Sequence, residues 1–102
     1  MKKKTIEKRR IYRECYDLDQ AFLDWLKVRL PVYLKSARTM IDFERSKHFN
    51  YNGKDYRQDE LIEIMIKDLR VAEVYDALDE EYQVAVNEIL EIWKEVFGAM
   101  WW

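Results

Sequence analysis

Pro31, Gly53 and Gly98 are the only glycine or proline residues in a chain of 102 residues. Turns draw on these two residue types because they reach backbone angles that others avoid. Their scarcity leaves room for few turns and predicts a small number of long elements. Apolar residues recur three and four apart along most of the sequence, the period of an amphipathic helix. The expected fold class is therefore all-α: a small four-helix bundle-like domain, with one short β-hairpin at about residues 48–57 between helices 2 and 3.

The last stretch, residues 79–102, shows the pattern most clearly. Tyr82, Val86, Ile89, Trp93, Val96, Phe97 and Met100 fall on one side of a helix, and Asn87, Glu88, Glu91, Lys94 and Glu95 on the other. So many charges exclude a membrane span, which needs about 20 nearly uncharged apolar residues. Asp79 is the expected N-cap and Gly98 the expected C-cap. Beyond that glycine, residues 99–102 form an aromatic tail ending in Trp101 and Trp102.

Upstream, Ile11, Cys15, Leu18, Phe22, Trp25 and Leu26 predict a first helix over residues 5–30 with these side chains inward. Pro31 lacks a backbone donor and biases Leu30 away from helical angles, so the helix is expected to stop or kink there. A second helix is expected over residues 32–47, with Tyr33, Ala37, Met40, Ile41 and Phe43 inward. Asn52-Gly53 is the favoured pair for a type I′ turn, and pairing across it sets Tyr51 opposite Lys54 and Phe49 opposite Tyr56. Asp59 is the expected cap of a third helix running to Leu78. Its main stripe is Leu61, Ile62, Met65, Leu69 and Ala72, widened by Ile64, Ile66, Val71, Val74 and Tyr75.

The formal net charge of -2 argues against nucleic-acid binding over the whole surface. The distribution says more: residues 1–13 hold seven Lys or Arg against one Glu, while residues 59–102 hold three against twelve acids. Residues 1–8 are expected to be a disordered basic arm of a single helical domain spanning residues 1–102, because cations crowd the positive end of the helix dipole there. The one cysteine, Cys15, cannot form an intrachain disulfide, which suggests a reduced, cytoplasmic setting. No signal peptide or transmembrane helix is expected.

Residue types set the chemistry. One histidine, one cysteine and no glycine-flanked serine leave little for nucleophilic catalysis, and a Cys15–His48 pair lacks an orienting third group. Two isolated glycines cannot make a phosphate-cradling loop, and a zinc site lacks ligands. Glu44 and His48, four apart, could share a metal but have no second such pair beside them. No cofactor and no metal are expected.

Carboxylates are the remaining candidates: Glu60-x-x-Glu63 and Glu73-x-x-Asp76 place acids three apart, where they share a helix face and can hold Mg²⁺ through oxygen. These pairs resemble those of the all-helical nucleoside triphosphate pyrophosphohydrolases of the MazG type, whose ExxE and ExxD pairs lie on two successive helices. The resemblance implies Mg²⁺-dependent nucleotide hydrolysis by Glu60, Glu63, Glu73 and Asp76. Here nine residues without a helix break separate the pairs, and the basic residue expected after the first is missing.

Two non-enzymatic signals remain. Lys2, Lys3, Lys4, Lys8, Arg9, Arg10 and Arg13 suit either phosphates of RNA or DNA, or the acidic patch Asp76, Asp79, Glu80 and Glu81 of the same chain or a second copy. Phe97, Met100, Trp101 and Trp102 are of the residue types that anchor interfaces. The expected function is non-catalytic: a small adaptor or inhibitor that occupies a protein partner and self-associates as a homo-oligomer. In size and aromatic richness it resembles accessory proteins of phages and mobile elements, including inhibitors of host defence. The alternatives are the Mg²⁺-dependent hydrolase and a nucleic-acid module using the basic arm. No membrane partner is expected.

Overall fold

The hairpin forms where the turn chemistry puts it. In the structure, a computed structural model that describes residues 2–15 and 17–100, Asn52 and Gly53 both have positive φ, 52° and 75°. Side chains are described from Lys8 onward, Arg13 excepted. Strands β1 (His48–Tyr51) and β2 (Lys54–Arg57) pair antiparallel with Phe49 opposite Tyr56 and Tyr51 opposite Lys54, the expected register. Four helices surround this hairpin in sequence: α1 (Lys2–Cys15) and α2 (Leu18–Met40) before it, α3 (Gln58–Val74) and α4 (Glu80–Val96) after it.

The first half departs from the expected boundaries. The helix predicted over residues 5–30 is two helices, because the chain turns at Asp17, whose carbonyl accepts the Ala21 amide and so opens α2. Residues 2–8, expected as a disordered arm, begin α1. Pro31 does not end a helix; α2 runs through it to Met40, and the second helix does not reach Lys47. A proline inside a helix costs about 3 kcal/mol, because the carbonyl four residues back loses its donor. Burial on either side offsets that cost. Leu23, Leu26, Leu30, Leu34 and Ala37 form one continuous buried line across the proline, and each buried leucine contributes about 1.5–3 kcal/mol.

That line matches the expected one only in part. Leu26 and Ala37 are buried as expected, whereas Trp25 is 47% exposed, and Ile11, Cys15, Leu18 and Met40 are also exposed. Phe22, Tyr33 and Ile41 are half-buried, and Phe43 is buried. α2 is thus turned by about one residue from its expected orientation, since a 3.6-residue period puts neighbours about 100° apart.

α3 lies between α2 and α4, and its expected stripe Leu61, Ile62, Met65, Leu69 and Ala72 is buried. It starts two residues earlier than expected, with Arg57 and not Asp59 at the cap, and ends at Val74 instead of Leu78. Asp59 is buried in the first turn. In α4 the buried residues are Ala85, Ile89, Ile92 and Val96; Tyr82, Val86 and Trp93 flank them, and Phe97 is 71% exposed. Asp79 is the N-cap as expected. Gly98, at φ 88°, follows the C-cap Phe97 in the left-handed conformation that glycine reaches without strain.

Phe49 and Tyr51 join the α2, α3 and α4 core from the hairpin, β1 lying on α4 and β2 on α3. Ala99 and Met100 pack against the same core.

Candidate functional site

Three of the four carboxylates with metal-binding spacing have a partner in the folded chain, and Asp76 is held through its backbone. Glu60 Oε1 accepts the backbone N–H of Arg57 at 2.9 Å, closing the first turn of α3. Glu63 pairs with Arg38 of α2, and Glu73 pairs with Lys27 of α2 at 2.6 Å. The Asp76 amide donates to Asp79 Oδ2 at 3.0 Å and its carbonyl accepts the Asp79 amide at 2.9 Å, which shapes the turn into α4. Glu60, Glu63 and Glu73 all lie on α3, with Asp76 just past its end. Among the described residues no group of three His, Cys, Asp or Glu is placed to hold a metal ion.

Around Arg57 the ion pairs form a network. Its Nε and a terminal nitrogen donate to the two oxygens of the buried Asp59 at 3.0 and 3.3 Å, and its other terminal nitrogen reaches Glu44 at 3.2 Å. Arg38 stands 3.7 Å from Asp59. A buried carboxylate needs such partners, because an unpaired charge away from water is costly. Glu44 therefore uses its carboxylate on Arg57 and not on His48, whose Nε2 meets the Glu44 backbone carbonyl at 2.9 Å. His48 Nδ1 faces Asp55 at 2.7 Å; this bond and the carbonyl raise the imidazole above its ordinary 6.5.

A second titratable group spans three elements. The Tyr51 hydroxyl donates to Glu88 of α4 at 3.0 Å, and Asp68 of α3 lies beside Glu88 with a buried, unpartnered Oδ2. Burial first, then the hydrogen-bonding and charge of Glu88, push the Asp68 carboxyl up to about 7. The same two causes raise the Tyr51 phenol. The signal for this group lies in the sequence: Asp68 continues the helical line Leu61, Met65, Ala72, an acid at a stripe position.

An apolar surface is left open on α2. Leu18, Trp25, Val28 and Val32 are all exposed and, with half-buried Ala21, fall three and four residues apart. This is a second stripe running beside the buried one, so α2 is apolar on two sides. Arg29 lies over the Trp25 ring, 4.5 Å from its centroid. At the α1–α2 turn the stripe borders an open groove of about 450 Å³, whose lining includes Glu14, Asp17, Ala21 and Asp24. Periodicity alone groups Leu18 and Trp25 with the core, because a single period fits both stripes when they are one residue apart.

Lys8, Arg9 and Arg10 are exposed on α1, and no described ion pair joins them to Asp76, Asp79, Glu80 or Glu81 of the same chain. The side chains of Lys2, Lys3, Lys4 and Arg13 lie outside the described residues, as do Trp101 and Trp102. Of the expected interface tail, Phe97 is exposed with its ring 5.6 Å from that of Trp93, and Met100 is half-buried against the core.

These features define a mostly helical chain with one antiparallel hairpin, ion-paired α2–α3 carboxylates and an open apolar face on α2. Among the described residues no helix is long and apolar enough to cross a membrane. No protein-family model matches the chain, and neither does any curated protein or solved structure.

Proposed function

We propose that this chain is a non-catalytic interaction protein, of adaptor or inhibitor type, that acts by occupying a protein partner. The observation that carries the reading is the exposed line Leu18, Trp25, Val28 and Val32 beside a fully formed core. Contiguous apolar surface rimmed by charge is the usual mark of a protein contact, and tryptophan with a neighbouring arginine is the composition of interface hot spots. In this reading the partner supplies the layer that turns the packed helices into a closed bundle. Engagement of Glu63 and Glu73 by Arg38 and Lys27 also favours binding over hydrolysis, because metal coordination would have to break both pairs.

The test is paired capture from native lysate with the wild-type chain and a Trp25→Glu, Val28→Glu variant as baits. Both baits should have the same helix content, and only the wild type should retain its partner. A variant that captures the same proteins removes the α2 face from the function.

A further inference from the structure

All of the described side chains of α1, from Lys8 to Cys15, are exposed, and α2 is the helix it packs against. A 14-residue helix is marginal in water on its own, and cations at its N-terminus oppose its dipole. Lys8, Ile11, Tyr12 and Cys15 stand at i, i+3, i+4 and i+7 and so share one face, apolar apart from its lysine and flanked by Arg9 and Arg10. A solvated arm or a simple phosphate binder has no use for apolar side chains in that position.

The complementary surface is at the other end of the sequence. A groove of about 390 Å³ between α3 and α4 is lined by Val71, Val84 and Ala85, with Asp68, Glu80 and Glu81 around them. Glu80 and Glu81 are exposed, and no described salt bridge uses them. Leu78, in the turn beside the groove, is 97% exposed. An apolar strip among acids is the counterpart of a helix face that joins isoleucine to lysine. The chain's own α1 does not occupy it, since the helix α1 packs against is α2.

We propose that the occupant of this groove is α1 of a second copy, in a reciprocal two-fold dimer in which each basic helix lies on the acidic α3–α4 groove of its partner. The inference goes beyond the interaction reading above, because it concerns a second surface apart from the α2 face and names its occupant. Two-fold exchange satisfies both surfaces of both copies at once and closes the assembly. The opposed charges of residues 1–13 and 59–102 steer the encounter and weaken with salt.

The experiment uses full-length chains and measures mass in solution from low to high micromolar concentration. The wild type should rise from 12.6 kDa toward twice that value, with a dimer dissociation constant that increases about tenfold or more at high salt. Two charge reversals are then compared: Lys8→Glu, Arg9→Glu, Arg10→Glu on α1, and Glu80→Lys, Glu81→Lys on the groove. Each alone should be folded by circular dichroism and monomeric, because like charges then meet across the contact. Mixed together they should form a one-to-one heterodimer, because the reversed α1 meets the reversed groove and the native α1 meets the native groove. A wild type that stays monomeric overturns the proposal, as does a dimer indifferent to both reversals or a mixture that fails to pair. A monomer whose α1 instead binds RNA or DNA, with the reversal abolishing that binding, overturns it as well. Loss of the dimer leaves the wider interaction reading to the Trp25 and Val28 variants, so the two can fail separately.

Discussion

The Tyr51 hydroxyl on the first strand donates to Glu88 on α4 at 3.0 Å, which holds Glu88 beside Asp68 of α3. The Asp68 carboxyl, pushed up to about 7 from its ordinary 3.8, holds a proton in the folded chain over a range where the unfolded chain has released it. Its contribution to stability is therefore complete below 3.8 and is lost as pH rises through about 7. Asp68→Asn should remove this dependence, so that its melting temperature falls less than that of the wild type between about pH 5 and pH 8. Parallel melting profiles for the two proteins would mean that Asp68 is ionised throughout.

His48 has the same sign and a different probe. Its imidazole is raised by Asp55 and by the Glu44 carbonyl, so the support it gives the hairpin base is present below 6.5 and disappears as pH rises through its elevated folded value. The chain has one histidine, so a proton NMR titration of the ring needs no assignment. Asp55→Asn should lower the midpoint; an unchanged midpoint would count against the 2.7 Å contact.

The two faces of α2 can be told apart by truncation. Leu26→Ala should cost about 2–5 kcal/mol, the range for emptying a buried leucine site, and Trp25→Ala about 1 kcal/mol or less, since only partial burial and a cation–π contact are lost. Chemical denaturation measures both. Equal costs would place Trp25 in the core.

Pro31 is held in α2 by its neighbours' burial. Pro31→Ala should restore the missing backbone bond and raise stability by about 2 kcal/mol, the roughly 3 kcal/mol helix cost less the entropy that proline removes from the unfolded chain. A loss of stability on this substitution would show that the proline geometry itself is needed.

Local chemistry was legible in the sequence, and choices between neighbouring faces were not. Asn52-Gly53 fixed the hairpin to the residue because a turn of two positive φ angles admits few residue types. The α3 stripe was legible because only one side of that helix is strongly apolar in its first half. α2 carries two apolar lines, Leu23–Leu26–Leu30–Leu34 and Leu18–Trp25–Val28–Val32, and periodicity cannot say which of them meets the core. The end expected at Pro31 failed for a related reason: a local breaker was outweighed by leucines that only the tertiary structure brings to bear. The carboxylate pairs were visible as a pattern, but their engagement with Lys27 and Arg38 depends on how α2 lies on α3.

Gln58, the first residue of α3, uses both ends of its amide: Oε1 accepts the Tyr33 hydroxyl from α2 at 2.9 Å, and Nε2 donates to the Ala99 carbonyl at 2.9 Å. Glutamate there would set an acceptor against the Ala99 carbonyl, and leucine would strand both groups. One neutral side chain thus fastens the segment after α4 to the middle of α2, two parts of the sequence more than sixty residues apart. The Ala99 carbonyl and the Tyr33 hydroxyl therefore share a single side chain as their link, and a change at position 58 releases both together.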